Sequence, residues 1–177
     1  MGIAVVYHSE TGNTARVGGA IARAIGDEAI LARLEEAPSL EDRGLVFVGM
    51  PLVKFGPPEA VRQFIEERCA GKQVALFVTH AAPTGLELLQ PWLEACSKTA
   101  SAADLVGFFH CQGQLAEPVR QYMLESGVPM LVQFAEMAAC ADGEPGEAAL
   151  RRAADFARDV LRRTPLDLAG QTESAAV

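Results

Sequence analysis

The chain is short of basic residues. It has 15 Lys and Arg against 23 Asp and Glu, a net charge of −8. That balance argues against nucleic acid and anionic membrane surfaces as partners, and suits a partner protein with a basic patch. Cysteine is also scarce. Cys69, Cys96, Cys111 and Cys140 stand far apart with no CxxC or CxxH spacing. A zinc site or a disulfide framework is therefore not expected. No apolar run approaches the roughly 18 residues of a membrane span. The first residues carry no basic region and no cleavage site, so no signal peptide is read. A soluble, cytoplasmic protein is expected. Repeats are lacking as well.

What is present is alternation. Short apolar runs at 2–7, 29–34, 45–49, 74–79 and 105–110 are of strand length, and several are apolar at consecutive positions. Parallel strands covered on both faces read this way. Between them lie stripes of helical period: Val17, Ala20, Ile21, Ala24 and Ile25; Val61, Phe64, Ile65 and Cys69; Leu88, Leu89, Trp92, Leu93 and Cys96; and Leu150, Ala153, Ala154, Ala157, Val160 and Leu161. Five such alternations imply a doubly wound α/β sandwich with a five-stranded parallel sheet. Between strands two and three, Pro38-Ser39-Leu40-Glu41-Asp42 leaves little room for a full helix.

The 177 residues fit one domain. We expect it to span residues 1–164. Within it, residues 114–142 form an insertion before the last helix, with helical stretches at 117–125 and 130–140. The small, polar, Ala-rich residues 165–177 are expected to be frayed or disordered.

The chemistry sits after strand one, in Ser9-Glu10-Thr11-Gly12-Asn13-Thr14. A helix begins near Thr14, so this loop lies at the carboxyl edge, beside the topological switch point where open α/β sheets bind ligands. A helix N-terminus offers free N–H groups and a positive dipole end. Three hydroxyl residues and those amides together can wrap a phosphate. Gly12 permits close approach, and Asn13 tolerates tight-turn dihedrals. The loop has no Lys or Arg, which excludes a Walker loop, and no G-x-G-x-x-G, which excludes the dinucleotide fingerprint. A single terminal phosphate monoester fits best. The plainer alternative is an ordinary N-cap, but six residues of this composition in this place favour phosphate.

Tyr7-His8-Ser9-Glu10-Thr11-Gly12-Asn13-Thr14 resembles the T/S-x-T-G-N-T loop of flavodoxins, which holds the phosphate of flavin mononucleotide (FMN). The order of elements extends the resemblance over about residues 1–113 and the last helix. It implies a strand order of 2-1-3-4-5. It also implies that Ser9, Thr11, Asn13 and Thr14 hold the phosphate through hydroxyl, amide and backbone groups, with Gly12 at the turn. Glu10 is the free position, its carboxylate facing solvent.

By the same resemblance the flavin ring lies between the loops after strands three and four. The first is Met50-Pro51-Leu52-Val53-Lys54-Phe55-Gly56-Pro57, a shaped turn. Phe55 either lies against the ring or packs inward. The second is Thr79-His80-Ala81-Ala82-Pro83-Thr84-Gly85, whose amides suit the pyrimidine end. It departs from the family in having no acid before Glu87. Acids there repel the anionic, fully reduced flavin, so their absence implies a less negative potential or a more open ring face. Strand five ends in His110-Cys111-Gln112-Gly113, which puts Cys111 and Gly113 at the same edge. A buried apolar role for Cys111 competes with a reactive one. His80 and His110 are each a proton donor or a structural histidine.

Electron transfer between redox partner proteins is the leading reading. An FMN-dependent reductase of NAD(P)H or quinone type is the alternative, favoured by the insertion and the non-acidic loop. A receiver-like signalling domain would need an Asp cluster where the strand ends read His8-Ser9 and Met50-Pro51.

Overall fold

The computed structural model describes residues 2–83 and 85–164. The expectation for 165–177 lies outside the described residues. The elements run β1 (Gly2–Tyr7), α1 (Asn13–Ile25), β2 (Ala29–Arg33), β3 (Arg43–Pro51), α2 (Glu59–Arg68), β4 (Gln73–His80), α3 (Leu89–Ser97), β5 (Asp104–Gln112), α4 (Glu117–Glu125), α5 (Pro129–Ala138) and α6 (Glu147–Arg163). All strand pairs are parallel, in the order β2-β1-β3-β4-β5. This is the doubly wound sheet expected from the alternation, with the switch point between β1 and β3.

Side chains alternate across the three inner strands and fill two cores. Ile3, Val5, Leu45, Phe47, Ala75 and Phe77 pack under α1 and α6. Ala4, Val6, Val46, Val48, Leu76 and Val78 pack under α2 and α3, and Phe134 of α5 joins that side. Each valine, leucine, isoleucine or phenylalanine among them, taken fully from water, contributes about 1.5–3 kcal/mol.

The edges differ from the expectation of strands covered on both faces. Ile30 and Leu31 of β2 and Leu105 of β5 are exposed. For Ile30, which lies beside Ala4 on the α2–α3 side of the sheet, the cause is the missing helix. The one helical element described between β2 and β3 is the 3-10 turn Leu34–Glu36; Leu31, beside Val5, faces α1 and is exposed as part of an edge strand, as is Leu105 on β5. Leu88, placed in the third stripe, is exposed ahead of α3 and is not part of the core. The segment between β5 and α6 is helical twice, as expected.

Strands β3, β4 and β5 run further toward the carboxyl edge than the apolar runs imply. Pro51 and His80 are therefore strand residues and not loop residues. Pro51 is tolerated because it is the last of its strand.

Two glycines allow the sheet to close on α1. Phe77 pairs with Gly49 in register and lies over it, so a Cβ at Gly49 would fall 2.2 Å from the ring. Gly18 of α1 approaches the same ring from the helix side. Gly49→Ala should lower stability by about 1–3 kcal/mol through overpacking, read as a lower urea midpoint at unchanged slope.

Candidate functional site

The 9–14 loop leaves β1 and enters α1 through Gly12, which takes a left-handed φ of 91° and faces open space. Tight-turn geometry therefore belongs to Gly12, while Asn13 is already the first helical residue. Ser9 is buried, and its Oγ accepts the N–H groups of Gly12 (3.2 Å) and Ala15 (3.3 Å). Among the described residues, no hydrogen bond is made by the N–H of Glu10, Thr11, Asn13 or Thr14. The Thr11 hydroxyl is exposed and also unpaired among them, and the Glu10 carboxylate faces solvent. Such a cradle of open amides at a positive helix end fits a phosphate.

The other predicted residues fall into three positions. Thr14 and Thr79 meet hydroxyl to hydroxyl at 2.8 Å, both buried, which ties the start of α1 to the end of β4. The Asn13 side chain turns away from the cradle and donates to the Gln114 carbonyl at 2.8 Å. It passes over Gly113, where a Cβ would fall 2.8 Å from its Nδ2. Only its backbone N–H remains for a phosphate. Leu52 donates its N–H to the Thr79 carbonyl at 2.8 Å, so the ends of β3 and β4 stay joined where their loops begin.

The β3 loop closes as a two-residue turn. Val53 and Gly56 exchange backbone hydrogen bonds at 2.9 and 3.0 Å, with Lys54 (φ 48°) and Phe55 (φ 70°) at the tip. Neither residue type favours this conformation, and for a bulky side chain it is a true outlier. Phe55 neither packs into the core nor stands free. Its ring lies 4.7 Å from that of Trp92, with most of its surface in water.

The β4 loop is held from below. His80 is buried, its Nδ1 lies 2.8 Å from the Ala82 carbonyl, and its Nε2 lies 3.0 Å from Nδ1 of His110. A carbonyl only accepts, so His80 carries its proton on Nδ1 and accepts from His110 at Nε2. Burial pushes the His80 pKa down to about 4, outweighing the Ala82 bond, and His110 adds to the fall. The His110 pKa is lowered by burial and by Arg152. Gln112 Nε2 donates to the Ala81 carbonyl at 3.3 Å. Ala82 is buried in the α2–α3 core, while Gly85 is exposed with φ 96°.

Cys111 faces the α1–α6 core and is buried. Burial pushes its thiol up to about 12, so it is an apolar filler and no nucleophile. Among the described residues, no cluster of His, Cys, Asp or Glu could hold a metal. No described helix is long and apolar enough to cross a membrane.

Three residues were given no role by the sequence reading. Arg33, at the end of β2, donates to the Ser9 carbonyl at 3.3 Å, so a cation borders the loop after all. His8 Nδ1 is buried and unbonded, 3.4 Å from the Glu35 carboxylate, which also faces Arg33 at 3.6 Å. Arg16 reaches the Gly143 carbonyl at 3.4 Å. Their only sequence signal was position at strand ends or in the first helical turn.

The histidine chain sets an acid limit. The unfolded state takes up a proton near pH 6.5 and His80 in the fold only near 4, so stability falls as pH drops through that window. A loss on the order of 2–3 kcal/mol is expected between pH 7 and 4. Urea midpoints across this range should fall for the native chain and stay flatter for His80→Asn.

The structure resembles oxidised flavodoxin 2 from Bacillus cereus, at 17% identity and a TM-score of 0.59, over 93% of this chain and 100% of that one. A flavodoxin from the domain Archaea aligns over 91% of this chain and 99% of its own, at 16% identity and a TM-score of 0.51. A flavoprotein in complex with FMN from Lactobacillus acidophilus aligns over 62% and 92%, at 12% identity and a TM-score of 0.50. No curated protein matches the chain. These likenesses concern the fold. The flavodoxin domain model matches residues 4–158, and the chain therefore belongs to the flavodoxin domain family.

Proposed function

We propose that the chain binds FMN and passes electrons between redox partner proteins. The carrying observation is the cradle at α1, where four N–H groups lack partners among the described residues. A phosphate monoester would receive those amides, the Thr11 hydroxyl, and whichever proton Ser9 and the Thr14–Thr79 pair leave free. Arg33 adds positive charge through the Ser9 peptide, though Glu35 offsets part of it.

The ring would lie between the 51–56 turn and the 79–85 loop. Phe55, held at the tip of its turn, supplies an apolar face. The β4 loop supplies backbone donors. When bound, FMN supplies the redox chemistry, and the protein binds and presents it. A net charge of −8 suits basic partners in a cytoplasmic, single-domain carrier.

The FMN-dependent reductase remains the second reading. The segment between β5 and α6 favours it, because both its stems meet the cradle. Asn13 holds Gln114, whose N–H reaches the Glu144 carbonyl at 2.9 Å, and Arg16 holds Gly143. Those bonds would hold α4 and α5 beside a bound flavin. An enzyme would oxidise NAD(P)H with turnover in the presence of a quinone, and a carrier would not.

Reconstitution tests the cofactor. The chain should take up FMN with flavin absorbance and bind riboflavin more weakly. Thr11→Ala should weaken FMN by roughly tenfold, the loss of one hydrogen bond to a charged group, and leave riboflavin unchanged. Equal loss for both would place the phosphate elsewhere. With no acid between His80 and Glu87, the low-potential couple of the bound flavin should be less negative than that of flavodoxins with acids there. Spectroelectrochemical titration measures this, and an equally negative couple would count against it.

A further inference from the structure

Two side chains hold successive carbonyls of the β4 loop. Gln112 takes that of Ala81 and His80 takes that of Ala82. The Ala81–Ala82 peptide is trans, the only cis bond among the described residues being Glu144–Pro145. A trans peptide sets N–H opposite to C=O. Gln112 draws the Ala81 oxygen toward β5, so the Ala82 N–H points away from it. That N–H makes no hydrogen bond among the described residues, and neither does the N–H of Ala81.

The next peptide has no donor at all, because residue 83 is proline. Its single polar group is the Ala82 carbonyl, which lies against the buried His80 ring. Left unpaired there, it would carry the desolvation penalty of a lone buried acceptor. Among the described residues His80 alone relieves it, and His110 supports the tautomer in which His80 can. The Ala82 carbonyl requires the His80 proton on Nδ1, and His110 Nδ1–H donating to His80 Nε2 keeps it there.

We propose that His80, oriented by His110, is a positioning residue for the ring end of the flavin. It holds the Ala82–Pro83 peptide so that, with Gln112, the chain presents the Ala82 N–H as a fixed donor to the isoalloxazine. The inference rests on the FMN reading. It predicts a loss of affinity that belongs to the ring and not to the phosphate, the reverse of the split expected for Thr11→Ala.

The test compares native chain, His80→Leu and His80→Asn for FMN and for riboflavin by fluorescence quenching. His80→Leu removes both nitrogens, while the amide nitrogen of Asn can stand near Nδ1. His80→Leu should weaken both ligands by the same factor, about tenfold for one lost hydrogen bond. His80→Asn should stay within about threefold of the native chain. Should His80→Leu not fold, His110→Leu replaces it. That variant frees the His80 tautomer, and the same paired loss is expected. A folded leucine variant with unchanged riboflavin affinity overturns the inference. So does a loss confined to FMN. A native chain that takes up neither flavin overturns the function itself.

Discussion

The Oγ atoms of Thr14 and Thr79 lie 2.8 Å apart in a place sealed from water. A buried hydroxyl without a partner costs about 1–3 kcal/mol, so each threonine commits the other. That pair fixes the first turn of α1 against the end of β4. Much else at the carboxyl edge follows from it. The open amides of α1 face out beside β4, Leu52 ties β3 to the Thr79 carbonyl, and the next residue, His80, begins the histidine chain. Two halves of one site are thus referenced to one hydrogen bond. Helix α1 can sit that close because Gly18 and Gly49 leave room for Phe77 between them.

The fold was legible because its determinants are local and repeated. Three inner strands are apolar at consecutive positions, since both faces are covered, and the helices between them carry clear stripes. Pro38 and its polar neighbours correctly announced that no helix crosses from β2 to β3. The same logic misled at the edges. Ile30 and Leu31 read as core, yet both stand exposed on the edge strand β2, and on the Ile30 face the covering helix is missing. Strand ends were also misjudged. Register with a neighbour, not apolarity, carries β3 through Pro51 and β4 through His80.

The site was legible only where the backbone does the binding. The 9–14 loop announces itself through hydroxyls and one glycine, because amide cradles need that composition. Side-chain partnerships across the sheet leave no such trace. His80 and His110 are 30 positions apart, and nothing in either segment says that the rings share a proton. Arg33 lies 24 positions from the Ser9 carbonyl that it meets. The Asn13 side chain, expected at the phosphate, serves the Gln114 carbonyl because Gly113 clears its path. The thiol of Cys111 points into the α1–α6 core because of strand parity alone.

The two halves of the site are built in different ways. Backbone groups supply the phosphate half, and their geometry follows from any helix that begins with a left-handed glycine. Substitution there has few ways to alter the outcome short of breaking it. The ring half is held by particular side chains and by strain. Lys54 and Phe55 occupy left-handed backbone where Asn-Gly would sit at ease, and the Ala81 and Ala82 carbonyls depend on Gln112 and His80. A sequence departs from its local preferences where something other than stability is being served. Here the departures cluster on the side that would touch the ring. The phosphate half thus sets which cofactor enters, and the ring half sets how that cofactor behaves.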